Sequence, residues 1–271
     1  MRRIALALLL AAGLLPAEES DLPGILDRIR KGSPSECVEA LGKLEPGKED
    51  RAANPIAIRL RDEADAQTRA ALQEALVAFK SAPRVRAIKA ALESKSVADD
   101  YRTLVCDMLA DCKDEPAVTV VAKIAFESDM KAVREHGQKA LVACGDAAIK
   151  PTAPYIRGTN QRVADDAVTV LRTVDTEAAA YPLVACLVIG SEKELLRIAG
   201  VTNMTREKAV ESLIAMGDEA VPALLGGLDS LNHQKWSSYC LQKISGEFFT
   251  QKDKAGWTGW WKRRLAEKAG K

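Results

Sequence analysis

The chain has 271 residues, with 39 basic against 38 acidic side chains and a net charge of +1. That balance excludes the broad positive field on which nucleic-acid binding depends. Aromatic residues make up only 4% of the chain while alanine is abundant, and no stretch alternates like a strand between turn pairs such as Asn-Gly. An all-α protein is expected.

The first seventeen residues read as an export signal: Arg2 and Arg3 give a positive start, residues 4–15 an apolar run, and Leu15-Pro16-Ala17 a cleavage site. The apolar run is too short for a membrane span, which takes about 20 residues. No cysteine stands near the cleavage site, which argues against a lipid anchor. The expected location is therefore periplasmic or extracellular, with no membrane contact beyond the signal.

Beyond this segment a motif recurs, Arg-x-x-small-x-x-(Ala/Ser/Met)-Leu. Its apolar anchors stand at Leu41, Leu76, Leu109, Leu141, Leu171, Leu213 and Ile244. The clearest copies begin at Arg69, Arg134 and Arg206, and Arg102 starts a fourth; the copy ending at Leu171 keeps the register without the arginine. Repetition at about thirty residues signals a stack of helix pairs rather than one globular core. Apolar positions at −4, −1 and 0 from each anchor form a single buried stripe. The −4 position holds Cys37, Leu72, Val105, Gly137, Ala167, Ala209 and Cys240, mostly small residues that let helices approach closely.

Five residues after the anchors come Ser81, Asp114, Asp146, Thr176 and Asp218, the expected N-caps of each second helix. Gly145 and Gly217 suit the end of the first helix, and Pro83 and Pro116 suit the first turn of the second. The long step between Leu171 and Leu213 contains an insertion at residues 189–205, expected as a loop or short extra helix on one edge.

Residues 213–228, LIAMGDEAVPALLGGL, resemble the HEAT-like repeat in the short version named after phycobilisome lyases, and residues 132–149 are similar. The resemblance runs over residues 67–245 and fades at both ends, as terminal repeats do. It implies a right-handed α-solenoid of about seven antiparallel helix pairs, with the second helix of each pair lining a concave face. It also implies that the motif arginines bridge to acids of neighbouring repeats. It is poor evidence for function, because such repeats serve scaffolds, regulators, pigment lyases and a DNA-repair glycosylase.

Candidate chemistry is sparse. The acids upstream of the arginines, Asp65, Asp99, Asp100 and Asp129, favour structural bridges over an anion-binding ladder. Of six cysteines, Cys37 and Cys240 occupy the small core position, and Cys112 and Cys144 share the buried stripe. The last two are the pair with a route to a disulfide. His136 and His233 are far apart, and His-Glu-x-x-His, Gly-x-Ser-x-Gly, P-loop and dinucleotide motifs are missing. Neither an enzyme, a metal site nor a cofactor is expected.

Trp257, Trp260 and Trp261 lie on one helical face with Leu265. A helix capping the last repeat is the stronger reading; an aromatic platform for a sugar or partner is the other. On the second helices, Arg84, Arg86, Lys89, Lys123, Lys150 and Arg157 are the candidate cations of a mildly basic groove. The organisation expected is a signal at residues 1–17, a solenoid over 18–245 and a Trp-rich cap over 246–271. The function expected is a non-catalytic scaffold binding a protein or peptide, with an acidic one suited to the mildly basic groove. A lyase-like or chaperone-like enzyme accessory is the alternative, as is a carbohydrate-binding module using the C-terminal tryptophans.

Overall fold

The computed structural model describes residues 21–45, 48–94 and 97–270; the export-signal segment lies outside them. The chain begins with α1 (Leu22–Lys31), α2 (Pro34–Leu41), α3 (Ala53–Asp62), α4 (Ala66–Ala78) and α5 (Ser81–Leu92). It continues through α6 (Asp99–Ala110), α7 (Glu115–Glu127) and α8 (Lys131–Cys144). A 3-10 turn (Gly145–Ala148), the short α9 (Ile149–Thr152) and a second 3-10 turn (Ala153–Ile156) then form one broken helix. After α10 (Gln161–Val174) and α11 (Glu177–Val184) come α12 (Glu192–Ile198) and α13 (Asn203–Met216). A 3-10 turn (Gly217–Ala220), α14 (Val221–Gly227), α15 (Gln234–Ser245) and α16 (Lys254–Ala269) complete the chain. No strand occurs among the described residues, and no helix there is long and apolar enough to cross a membrane.

The helices stack in two rows. The first runs α2, α4, α6, α8, α10, α13, α15, with α4 linked to α6 by an Arg69–Asp100 ion pair. The second runs α1, α3, α5, α7, α9, α11, α14, α16, and the rows pack on each other along their length. This is an α-solenoid built by the expected register. Leu76, Leu109, Leu141, Leu171 and Leu213 are fully buried, as are Cys37, Leu72, Val105, Ala167, Ala209 and Cys240 at the −4 position. Leu41 and Ile244, in the outer copies, are only partly covered.

The capping expectation needs correction at three of its five positions. Asp114 and Thr176 do cap α7 and α11, accepting from the Ala117 and Ala179 amides at 3.0 and 3.3 Å. Ser81 is instead the first residue of α5, whose cap position is Lys80. Asp146 and Asp218 lie inside 3-10 turns and cap nothing. The cause is the preceding glycine. Gly145 (φ 61°, ψ −135°) and Gly217 (φ 60°, ψ −123°) reverse the chain within one residue, in a conformation that only glycine adopts cheaply. The next turn is already wound when the aspartate is reached.

Their carboxylates therefore reach forward along the stack. Asp146 accepts from Thr176 Oγ1 at 2.7 Å, and Asp218 accepts from Arg264 Nε at 2.7 Å and pairs with Lys268 at 2.5 Å. Burial pushes the Asp218 carboxyl up, but the hydrogen bonds and charges of Arg264 and Lys268 outweigh it, leaving the group below the ordinary aspartate value of 3.8. A depressed carboxyl contributes stability above its unfolded pKa and loses it as pH falls through the folded value. Acid titration followed by tryptophan fluorescence should thus show α16 loosening below about pH 3.8, a transition that Asp218→Asn would abolish.

The C-terminal α16 packs on α14 at the open end of the array. Trp257 is completely buried and Trp260 is 7% exposed. Trp257 Nε1 donates to the Thr250 carbonyl at 3.3 Å, and its ring meets Phe249 edge-on at 5.0 Å. The aromatic-platform reading of Trp257, Trp260 and Trp261 is therefore corrected. Two of the three rings are spent on covering the last repeat, and Trp261 is half-buried against the same core.

Candidate functional site

The second row carries the cations expected to form a groove, and the structure divides them. Arg84 is a correction. Its Nη1 donates to the Met108 carbonyl at 3.1 Å and its Nη2 to the Phe79 carbonyl at 2.9 Å. Those carbonyls close the C-terminal turns of α6 and α4, where main-chain acceptors lack helical partners. Arg84 is thus a staple between repeats. Lys150 pairs with Glu115 of the preceding repeat at 2.7 Å. Arg157 lies beyond the broken helix, beside Gly200 of the insertion. Lys123 is exposed on α7, without an ion pair among the described residues.

Only Arg86 and Lys89 come together. They are exposed on α5 and, with Ala82, Val85, Asp114 and Pro116, line a shallow cleft of about 460 Å³ facing the start of α7. Arg86 also borders a second depression of about 280 Å³, where Pro83, Ala87 and Ala90 face Ala53 and Asn54 of α3. The arginine is therefore a ridge between two clefts with largely apolar floors. The Asp114 carboxylate in the first cleft is held by the Ala117 amide, which it caps. Neither Arg86 nor Lys89 has an ion-pair partner among the described residues.

The motif arginines follow the structural reading in varied ways. Arg69 bridges to Asp100 of the next repeat, whereas Arg102 meets Asp99 of its own helix at 3.9 Å. Arg134 uses the carbonyls of Ser128 and Asp129, at 2.9 and 2.7 Å, in place of the Asp129 carboxylate. Arg206 donates to the Val188 carbonyl at 3.3 Å. The contacts of Arg134 and Arg206 tie the start of one helix to the segment that closes its neighbour, Arg69 joins the starts of α4 and α6, and none of the four is left to form an anion ladder.

All six cysteines are free, so Cys112 and Cys144 are not bridged. Burial pushes the Cys106, Cys186 and Cys240 thiols up to about 12, the opposite of what a reactive thiolate needs. His136 pairs with Asp107 at 2.7 Å on the surface of the first row. No group of His, Cys, Asp or Glu among the described residues could hold a metal ion.

Two further surfaces lie outside the groove, one on the insertion, which takes the short-helix form of its two expected forms, and one on α15, which the sequence did not single out. The insertion forms α12, which buries Leu195 but leaves Leu196 and Ile198 exposed, with Met204 exposed in the following helix. On α15, Trp236 and Tyr239 form a surface corner flanked by Lys235 and Lys243. Their i, i+3 spacing is visible in the sequence, but Trp236 stands apart from the C-terminal cluster of tryptophans.

The two-row stack and its register define an array of paired helical repeats. Residues 205–230, covering most of α13, the following 3-10 turn and α14, match the family described as the PBS lyase HEAT-like repeat. No curated protein matches the chain. Among solved structures, the complex of CpcE and CpcF of phycocyanin lyase from Nostoc sp. PCC7120 is 17% identical, with 93% of this chain and 99% of that chain covered and a TM-score of 0.32. An engineered protein is also 17% identical, over 82% of this chain and 67% of that chain, with a TM-score of 0.31. At that level of likeness, the fold assignment rests on the chain's own helix packing and the matched repeat.

Proposed function

We propose that the chain is a non-catalytic scaffold, exported to the periplasm or beyond, that holds an acidic peptide segment of a partner protein on its second row. The observation that carries this reading is the cleft of Arg86 and Lys89. Two cations without an ion-pair partner among the described residues rim an apolar floor of Ala82, Val85 and Pro116. Shallow clefts repeated along a helical array suit an extended ligand, which can pair charge at the rim and bury small apolar side chains on the floor. The non-catalytic part of the reading draws on how the reactive side chains are used. The buried thiols are held protonated, and Arg84, Arg134 and Arg206 serve main-chain carbonyls.

The test is fluorescence anisotropy with a short labelled peptide alternating glutamate and leucine, at low and high salt. The wild-type chain should bind it, more weakly as salt screens the rim charges. Arg86→Glu with Lys89→Glu should weaken binding roughly tenfold or more through the introduced repulsion, with the helical circular-dichroism signal unchanged. Lys123→Glu, on the same face but outside the cleft, serves as the control. Equal loss in that control would spread the site over the whole face, and undiminished binding by the double variant would remove the cleft from the function.

A further inference from the structure

The first-row helix α15 turns a different surface outward. Its inner face is closed by Ser237, Cys240 and Leu241, all buried. Lys235, Tyr239 and Gln242, spaced i, i+4 and i+7, stand on its other side. With Trp236, Ser238 and Gln251 from the turn before α16, they line an open cleft of about 360 Å³. None of these residues belongs to the Arg86 cleft, and the inference drawn from them does not rest on it.

The cleft is built rather than incidental. The Trp236 and Tyr239 rings meet at 84° with centroids 5.9 Å apart, forming a right-angled aromatic corner. Arg206 of α13 fixes one wall: its guanidinium lies 5.0 Å from the Trp236 ring centroid while donating to the Val188 carbonyl. Gln242 is oriented by its amide, which donates to the Phe249 carbonyl at 3.3 Å. That bond occupies a donor and leaves the Gln242 side-chain oxygen as an acceptor. Gln251, exposed, also lines the cleft and has no side-chain hydrogen bond among the described residues. Lys235 and Lys243 place ammonium groups 5.6 Å from the Trp236 ring and 5.5 Å from the Tyr239 ring.

From this set we infer that the α15 cleft binds an acidic saccharide. A pyranose ring offers an apolar C–H face to an aromatic wall and a rim of hydroxyls to planar amides. A carboxylate on the sugar would find Lys235 or Lys243, both mobile cations on flexible stems. The open shape suits one or two units of a chain rather than an enclosed small molecule. The site differs from the C-terminal tryptophans, two of whose three rings are spent on the cap. It uses the aromatic pair that remains at the surface.

The experiment is isothermal titration calorimetry and saturation-transfer NMR on the full chain with three probes: oligogalacturonate, maltotriose and hexaglutamate. Oligogalacturonate should bind, with sugar ring protons saturated, and the other two should bind at least tenfold more weakly. Tyr239→Ala, Gln251→Ala and Lys235→Ala all alter exposed side chains, so each should fold normally and each should weaken oligogalacturonate binding severalfold. Absence of oligogalacturonate binding, or binding untouched by the three substitutions, would overturn the inference. Equal affinity for maltotriose would overturn the selection for acid. Equal affinity for hexaglutamate would reduce the cleft to a general anion site and overturn the saccharide assignment.

Discussion

Trp257→Ala should destabilise the C-terminal end of the array by about 3–5 kcal/mol, the usual cost of removing a fully buried large aromatic side chain. Trp257 is 0% exposed and is the largest side chain buried to that degree. Its ring is held between Phe249 and Trp260, in edge-on contacts at 5.0 and 6.2 Å. The loss should be local. In a linear array each repeat leans only on its neighbours, so damage at the cap propagates as fraying from the open end. Hydrogen exchange should therefore accelerate in α14, α15 and α16 while α6, α7 and α8 stay protected. Trp257→Phe, which keeps most of the apolar volume, should recover part of the loss. Uniform acceleration across the chain would show one cooperative unit, and a cost under about 1 kcal/mol, far below a large buried cavity, would show that α16 is not the cap.

The same distinction between local and repeated information explains what could be read from the sequence. The buried stripe was legible because it recurs: Leu76, Leu109, Leu141, Leu171 and Leu213 each need the same neighbour on the same face, and period alone reveals it. The caps were legible only where local chemistry was the whole story. Asp114 and Thr176 satisfied the rule because their φ and ψ are extended. Asp146 and Asp218 failed it because the glycine one residue earlier sets the geometry, and what those carboxylates bond lies in another repeat. The cations failed for a related reason. An arginine on an exposed helix and one reaching two helix ends look alike in sequence, so Arg84 was grouped with Arg86 although its guanidinium serves Phe79 and Met108. The Trp236 corner depends on Arg206, about thirty residues upstream, and no short window contains both.

Helices α7 and α8 meet closely at Gly137, where the missing side chain permits the contact. A Cβ placed on Gly137 would stand 2.9 Å from the Ala125 Cα, 3.0 Å from its Cβ and 3.1 Å from its amide nitrogen. Two of these are main-chain atoms of a well-buried helix, which cannot swing aside as a flexible side chain could. Gly137→Ala should therefore destabilise the protein by about 1–3 kcal/mol, as overpacking of a filled core does, even though alanine is favoured over glycine within a helix by roughly 1 kcal/mol. Gly226 supplies the internal control. It is exposed in α14, and a Cβ there would meet nothing within 4 Å. With propensity and unfolded-state entropy acting alone, Gly226→Ala should stabilise by about 0.4–1 kcal/mol. Urea unfolding of the two variants should thus move the midpoint in opposite directions. If both moved upward, the gap between α7 and α8 would be adjustable, and the small residues at the −4 position would reflect composition rather than a packing requirement. A fall at Gly137 with a rise at Gly226 would establish that the pitch of the array at this joint is set by the missing methyl group.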